Sequence, residues 1–433
     1  KKLSFSRLGK SMILSTLCKP IGMLLSFLYT PLLLNCLGEE SYGIWSTILS
    51  IINWINYFDV GIGNGLRNQL TKDVERKDNE SARSSVSTAY ILLSLVSFVI
   101  LLFGSIIIYW LNCQKLFKTE INVKPVLYIS FLFICINFVL SLCKMQLYAT
   151  QQAEKVGLMT VLTQFLNLLG VFILNLSGKG SLMSVAFIIG MSGIVVNLVF
   201  TKKIWSFYPE FTPHFYAFSR GKVSMIGNLG IKFFVVQIAA LVLYTTDNLI
   251  ITYLLGPKYV TPYNTVYTAF GLINGMFSAM MLPLWSKYTE AMERRDFRWI
   301  RDMIIKLDML LIPIAIILVF GVFVYKPLSI IWLHKNLLYD KGLILAMAVY
   351  YFLYIWGTIY STALNGMGKV SLQAGLGVTT AILNVPLSIF LGKNVGLNST
   401  GVLVATIICM IITNIPITIR VHRYLNIHIL KSA

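Results

Sequence analysis

The charged side chains Lys19, Asp59, Lys144, Lys232, Asp247 and Lys306 sit inside stretches of sequence that are predominantly apolar. At bilayer depth a charge costs several kcal/mol unless it faces a wet cavity or a partner. Buried amines suit one task above others, replacing water around an anion. Lys144 and Lys306 lie close enough to a span end for their stems to carry the amine out to the interface. Lys19, followed directly by Pro20, and Lys232 are less easily explained that way. Lys19, Lys144 and Lys232 all fall in the same half of the bilayer, as an anion site open from one side requires. Asp59 shares a span with Arg67 and is either paired with it or available for coupling. Asp247, followed by Asn248, either binds a coupling cation or pairs with a lysine.

Other chemistries find no residues to carry them. The four histidines, His214, His334, His422 and His428, are expected in loops or the tail. The six cysteines show no C-x-x-C or metal-ligand spacing, and no phosphate-binding lysine loop is present. Gly61-x-Gly63-x-Gly65 lacks the preceding strand and the spacing of a dinucleotide fingerprint, and it reads as a loosening at the end of a span. With no nucleophile, acid–base pair or metal set, the sequence does not read as an enzyme, and no cofactor is expected.

The elements that position these charges are membrane helices. The chain is 57% hydrophobic and 12% charged over 433 residues, more apolar surface than one soluble core can hide. A helix of about 20 apolar residues crosses the ~30 Å hydrocarbon layer with its backbone bonded internally. Twelve such stretches are expected, at 12–34, 44–66, 86–110, 125–148, 158–177, 182–201, 226–255, 262–286, 304–326, 341–364, 371–391 and 401–419. None alternates at period two, which argues against a β-barrel. The fold class is therefore all-α and polytopic. An even span count puts both termini on one side. That side collects about 23 Lys and Arg against about 9 opposite, so both termini are expected in the cytoplasm. The net charge of +19 then belongs to topology and anionic headgroups, and no nucleic-acid partner is expected.

The two halves resemble each other. Leu37-Gly38, Tyr42, Thr47, Ile52, Asn53, Thr71 and Glu75-Arg76-Lys77-Asp78 recur in order as Leu255-Gly256, Tyr263, Thr268, Ile273, Asn274, Thr289 and Glu293-Arg294-Arg295-Asp296. Six spans per half is even, so the halves share one orientation, the parallel-repeat plan of transporters that rock one bundle against another. The expected organisation is an amino-terminal six-helix lobe (1–203), a cytoplasmic linker (204–223) with an aromatic, amphipathic stretch suited to the membrane surface, and a carboxy-terminal six-helix lobe (224–433).

Tyr42-Gly43-Ile44-Trp45, Asn53-Trp54, the run Tyr57-Phe58-Asp59-Val60-Gly61-Ile62-Gly63-Asn64-Gly65-Leu66-Arg67-Asn68, Phe233-Phe234-x-x-Gln237 and Thr246-Asp247-Asn248 resemble the bacterial lipid-linked O-antigen and polysaccharide flippases. These belong to the multidrug, oligosaccharidyl-lipid and polysaccharide (MOP) exporter superfamily. The resemblance covers essentially the whole chain. It implies twelve helices in two pseudo-symmetric lobes around a central cavity, in the bacterial inner membrane. It also implies alternating-access transfer of an undecaprenyl-pyrophosphate-linked oligosaccharide, an O-antigen or capsule repeat unit, to the periplasmic leaflet. On that reading Lys19, Lys232, Lys144 and Arg67 face the pyrophosphate, and Asp59, Asp247 and Asn248 serve coupling or gating, with a proton or sodium gradient as the candidate energy source. Expected partners are the lipid-linked glycan, membrane lipids and polysaccharide polymerase or assembly proteins. Tyr29, Tyr57, Tyr244, Tyr267, Tyr350 and Tyr354 are candidates for lining a sugar path, with ordinary packing the alternative for most. Two other readings stay open: a multidrug/cation antiporter of the same fold, which would favour carboxylates over lysines, and a non-transporting component of a glycan-assembly complex.

Overall fold

The computed structural model describes residues 2–55, 62–150, 152–227, 246–367 and 371–432. Among them the secondary structure is helical throughout, without strands. The principal helices are α1 (Lys2–Ile55), α2 (Ile62–Glu75), α3 (Asn79–Trp110), α4 (Lys124–Leu140), α5 (Leu142–Ala149), α6 (Ala153–Ser177), α7 (Leu182–Phe207) and α8 (Arg220–Gly227). They continue with α9 (Asp247–Leu255), α10 (Val260–Glu293), α11 (Phe297–Leu333), α12 (Leu343–Gly366), α13 (Ser371–Ile389) and α14 (Asn398–Ser432). Nine helices among the described residues are long and apolar enough to cross a membrane. The outward faces match that role. On α3, Leu95, Phe98, Phe103 and Ile107 are exposed, and on α11 so are Ile312, Phe320, Phe323 and Ile331. Lipid tails tolerate such a surface and water does not.

The chain divides into two compact units, Lys1–Ile238 and Ala239–Ala433. The same turn geometry recurs in both. Gly38 breaks α1 into two spans with φ 76° and ψ 172°, and Gly256 separates α9 from α10 with φ 105° and ψ 164°. Positive φ with extended ψ is essentially a glycine-only conformation, which explains why glycine recurs there. After α2, Lys77 turns left-handed (φ 57°) and Asp78 caps α3 by accepting from the Ser81 amide at 2.9 Å. After α10, Arg295 turns left-handed (φ 57°) and Asp296 caps α11 by accepting from the Trp299 amide at 3.0 Å. Gly178 and Gly396 repeat the pattern once more, at φ 65° and 78°. Each of these pairs is separated by the same interval of sequence. Asn274 lies on α10 as expected; Asn53 lies on α1, with its side chain outside the described set.

Inside each unit, helices are joined by close approach and by amide groups, the usual glue where lipid removes the hydrophobic drive between helices. Asn197 on α7 donates to Asn137 Oδ1 at 3.0 Å, and Asn137 on α4 donates to the Gly190 carbonyl at 3.1 Å. A Cβ at Gly190 would meet the Phe133 ring at 2.2 Å, so the contact requires glycine. In the second unit Asn414 on α14 donates to the Leu353 carbonyl of α12 at 2.8 Å, beside Gly357. The most buried helix there is α12, carrying Tyr350, Tyr351, Ile355, Ile359 and Ala363 inward.

Residues 208–222 are fastened to the first unit. Phe211 is wholly buried in its core, and the His214 and Ser219 amides donate to Ser87 Oγ and Thr88 Oγ1 at 3.0 and 3.1 Å. Lys222 Nζ reaches Asp73 Oδ2 at 3.3 Å and donates to Ser81 Oγ at 2.6 Å. Phe215 and Tyr216 remain outside, 90% and 78% exposed, which leaves an aromatic face available to an interface.

The carboxy-terminal segment corrects one expectation. α14 runs unbroken to Ser432, so His422 and His428 are helical rather than in an irregular tail. His422 Nε2 lies 3.0 Å from Tyr360 OH, which donates to Asp308 Oδ2 at 2.8 Å. Hydropathy marks where lipid ends, and a helix has no reason to stop there.

Candidate functional site

Asp247 opens α9 and is buried, only 6% exposed. Its Oδ2 accepts from Tyr263 OH of α10 at 2.7 Å, and its Oδ1 accepts from Thr406 Oγ1 of α14 at 3.3 Å. Thr406 Oγ1 in turn accepts from Asn384 Nδ2 of α13 at 3.0 Å. One carboxylate therefore ties four helices of the second unit together. Among the described residues its partners are hydroxyls. Asn384 Oδ1 is buried with no hydrogen-bond partner among the described residues. A buried carboxylate held by neutral donors, beside an orphan carbonyl oxygen, offers oxygen ligands to a proton or a small hard cation. Next door, Asn248 and Asn264 exchange amide hydrogen bonds at 3.1 and 3.4 Å and pin α9 to α10.

A tyrosine cluster adjoins this network. Tyr263 stacks on Tyr267 at 6.4 Å, Tyr267 tilts against Tyr351 at 5.5 Å, and Tyr351 OH donates to the Tyr267 carbonyl at 2.9 Å. Tyr350 packs against Tyr351 at 5.1 Å and against Tyr354 at 6.0 Å. Tyr350 is 2% exposed, so it serves the core of the unit and does not line an open sugar path. Tyr267 and Tyr354 are half-buried, as is Tyr29, while Tyr57 and Tyr244 lie outside the described residues.

In the first unit two of the sequence-selected cations, Arg67 and Lys144, are described. Arg67 on α2 is exposed and places its guanidinium 4.8 Å from the centre of the Tyr148 ring. Tyr148 follows Lys144 by one helical turn on α5, so the two side chains leave the same face. A guanidinium stacked this way keeps its in-plane donors available for a phosphate or carboxylate. The side chain of Lys19 lies outside the described set, and Asp59 and Lys232 fall in the undescribed segments 56–61 and 228–245.

Two further clusters escaped the sequence reading. Asp73 gathers Gln69, Ser81, Ser85 and Lys222, and Asp308 meets Tyr360 and His422. The available signal was an acidic residue in a strongly basic loop for Asp73, and a carboxylate within an apolar run for Asp308.

Comparison with known proteins fits this architecture. The fold matches the inward-facing conformation of a multidrug resistance MATE family transporter of the MOP superfamily, with TM-score 0.77 at 15% identity, covering 95% of this chain and 98% of that one. The outward-facing conformation of a MATE family transporter matches with TM-score 0.64 at 16% identity over 96% of each chain. A MOP superfamily transporter from Pyrococcus furiosus, described as having a binding pocket of reverse polarity, matches with TM-score 0.65 at 16% identity, over 97% of this chain and 96% of that one. The protein is thus an all-α, polytopic membrane protein with the MOP transporter fold. Residues 8–289, more than half of the chain, match the family of polysaccharide biosynthesis proteins, and the chain belongs to that family. It is 23% identical over 364 residues to the "Putative O-antigen export protein" of Yersinia pseudotuberculosis, covering 81% of each. It is 22% identical over 402 residues to the "Putative O-antigen transporter" of Salmonella typhimurium, covering 89% of this chain and 90% of that one. These relatives are transport proteins rather than enzymes.

Proposed function

We propose that the protein is a flippase for an undecaprenyl-pyrophosphate-linked oligosaccharide, an O-antigen or capsule repeat unit. It moves this lipid from the cytoplasmic to the periplasmic leaflet of the bacterial inner membrane by alternating access. The observation carrying this reading is the near full-length match to two relatives named for O-antigen export, together with the polysaccharide family match. The physical need is plain, because a pyrophosphate cannot shed its water into hydrocarbon unaided. Arg67, exposed and held over Tyr148, supports the reading with a cation of the required sign, and Lys144 lies one helical turn before that tyrosine. Lys19 and Lys232 extend it to deeper positions, where a lysine tolerates a phosphate that shifts as the lobes move. The hydroxyl-held carboxylate of Asp247 supports coupling to a proton or sodium gradient, with Asn248 holding its helix in place. Both termini and the basic loops lie in the cytoplasm on this reading.

The test is export in a producing strain lacking its own copy of the gene. Lys19→Ala and Lys232→Ala are expected to reduce surface glycan at unchanged levels of inserted protein, with partial rescue by Arg. Asp247→Asn is expected to reduce export and to remove its dependence on the ion gradient. If both lysine variants export normally, the pyrophosphate is held elsewhere.

A further inference from the structure

A shallow recess opens on the first unit where the end of α5, the start of α6 and the end of α7 meet. Its floor is apolar, formed by Leu147, Phe200 and Ile204, and its rim carries Lys155, Lys203 and Gln152. The rim is built rather than accidental. Gln152 Nε2 donates to Thr150 Oγ1 at 2.9 Å and to Tyr208 OH at 3.5 Å, joining the turn after α5 to the end of α7. Tyr208 is itself stacked on the core residue Phe211 at 5.0 Å. Lys155 Nζ lies 5.6 Å from the centre of the Phe207 ring, with Phe207 exposed toward the surroundings.

Below the recess, the surfaces of α6 and α7 are those of lipid-facing helices. Leu158, Leu162 and Phe165 are exposed on α6, and Val195 and Val199 on α7. The recess therefore sits where hydrocarbon gives way to headgroups, with two ammonium groups above and an apolar seam beneath. Basic pockets between membrane helices at this level recognise anionic lipid headgroups, while the seam accepts an acyl chain.

We infer that this recess is a binding site for one anionic phospholipid, its phosphate held by Lys155 and Lys203 and an acyl chain running along the seam between α6 and α7. The site is independent of the substrate path proposed above, since none of its residues belongs to that set. A resident lipid here would brace the junction of three helices.

The full-length protein, purified in a mild neutral detergent, is titrated with phosphatidylglycerol or phosphatidylcholine, and bound lipid is counted by native mass spectrometry. Phosphatidylglycerol is expected to bind with one tight site, and phosphatidylcholine is not. Each lysine is worth about fivefold near an anionic headgroup, so Lys155→Gln or Lys203→Gln should weaken binding about fivefold and the double variant about thirtyfold. Lys202→Gln, outside the recess, should leave it unchanged, and Lys203→Arg should retain it. Equal retention of phosphatidylcholine, or an unaltered double variant, would overturn the site. Preferential displacement of phosphatidylglycerol by undecaprenyl pyrophosphate would also overturn it, by reassigning the recess to the transported lipid. Displacement by inorganic phosphate alone would show that the seam contributes nothing.

Discussion

Replacing Asp73 with alanine should release residues 208–222 from the first unit. The carboxylate is 2% exposed and collects four donors: Gln69 Nε2 at 2.9 Å, Ser81 Oγ at 2.8 Å, Ser85 Oγ at 2.6 Å and Lys222 Nζ at 3.3 Å. Its removal strands the ammonium of Lys222, whose side chain is 14% exposed, against the Ser81 hydroxyl. Breaking a buried pair by deleting one partner costs about 3–5 kcal/mol. Because Lys222 keeps some access to water, the lower end applies, about 3 kcal/mol, or about 150-fold in the balance between docked and released linker. Asp73→Asn keeps an acceptor and should lose only about 1–2 kcal/mol. Chymotrypsin reads the difference directly, since the segment carries Phe215, Tyr216 and Phe218 and cleavage tracks the open population when reclosing is fast. Cleavage between residues 207 and 219 should rise about 150-fold in Asp73→Ala and far less in Asp73→Asn. A rate for Asp73→Ala within about threefold of the parent would refute the idea that this cluster holds the linker.

Gly38→Ala should destabilise the first unit by about 1–3 kcal/mol through backbone strain alone, because a Cβ at that position meets nothing within 4 Å. Thermal unfolding in detergent checks it, and an unchanged midpoint would mean that residue 38 does not need its positive φ. Single cysteines placed in residues 67–85 or 287–303 of a cysteine-free variant should resist an impermeant thiol reagent in intact cells and react after permeabilisation. Labelling of either loop in intact cells would reverse the proposed topology.

Much of the fold was legible because the bilayer imposes a simple code. Runs of apolar residues marked the spans, and the paired motifs ending in Lys77-Asp78 and Arg295-Asp296 marked equivalent turns, since left-handed φ and a capping aspartate are local requirements. Gly38 and Gly256 were legible for the same reason. Asp247 stood out as a carboxylate in an apolar run. Its partners did not, because Tyr263, Thr406 and Asn384 come from three other helices and look like ordinary membrane-helix polar residues in sequence. Asp73 was hidden among the charges of a basic loop, with Lys222 as its distant partner. Arg67 stood out for its charge, and only the fold places it over Tyr148. The extent of α14 was misjudged because hydropathy reports the lipid boundary rather than the helix end.

The most direct test of the account is lipid transfer by the purified protein in sealed vesicles. An undecaprenyl-pyrophosphate-linked oligosaccharide is placed in both leaflets, and an external glycosidase or lectin reports the accessible fraction with and without an imposed proton or sodium gradient. The account predicts that the fraction shielded in the inner leaflet becomes accessible only when the protein is present, and more slowly with Lys19→Ala or Lys232→Ala. No transfer under either gradient, in vesicles where the same protein carries an organic cation instead, would contradict it.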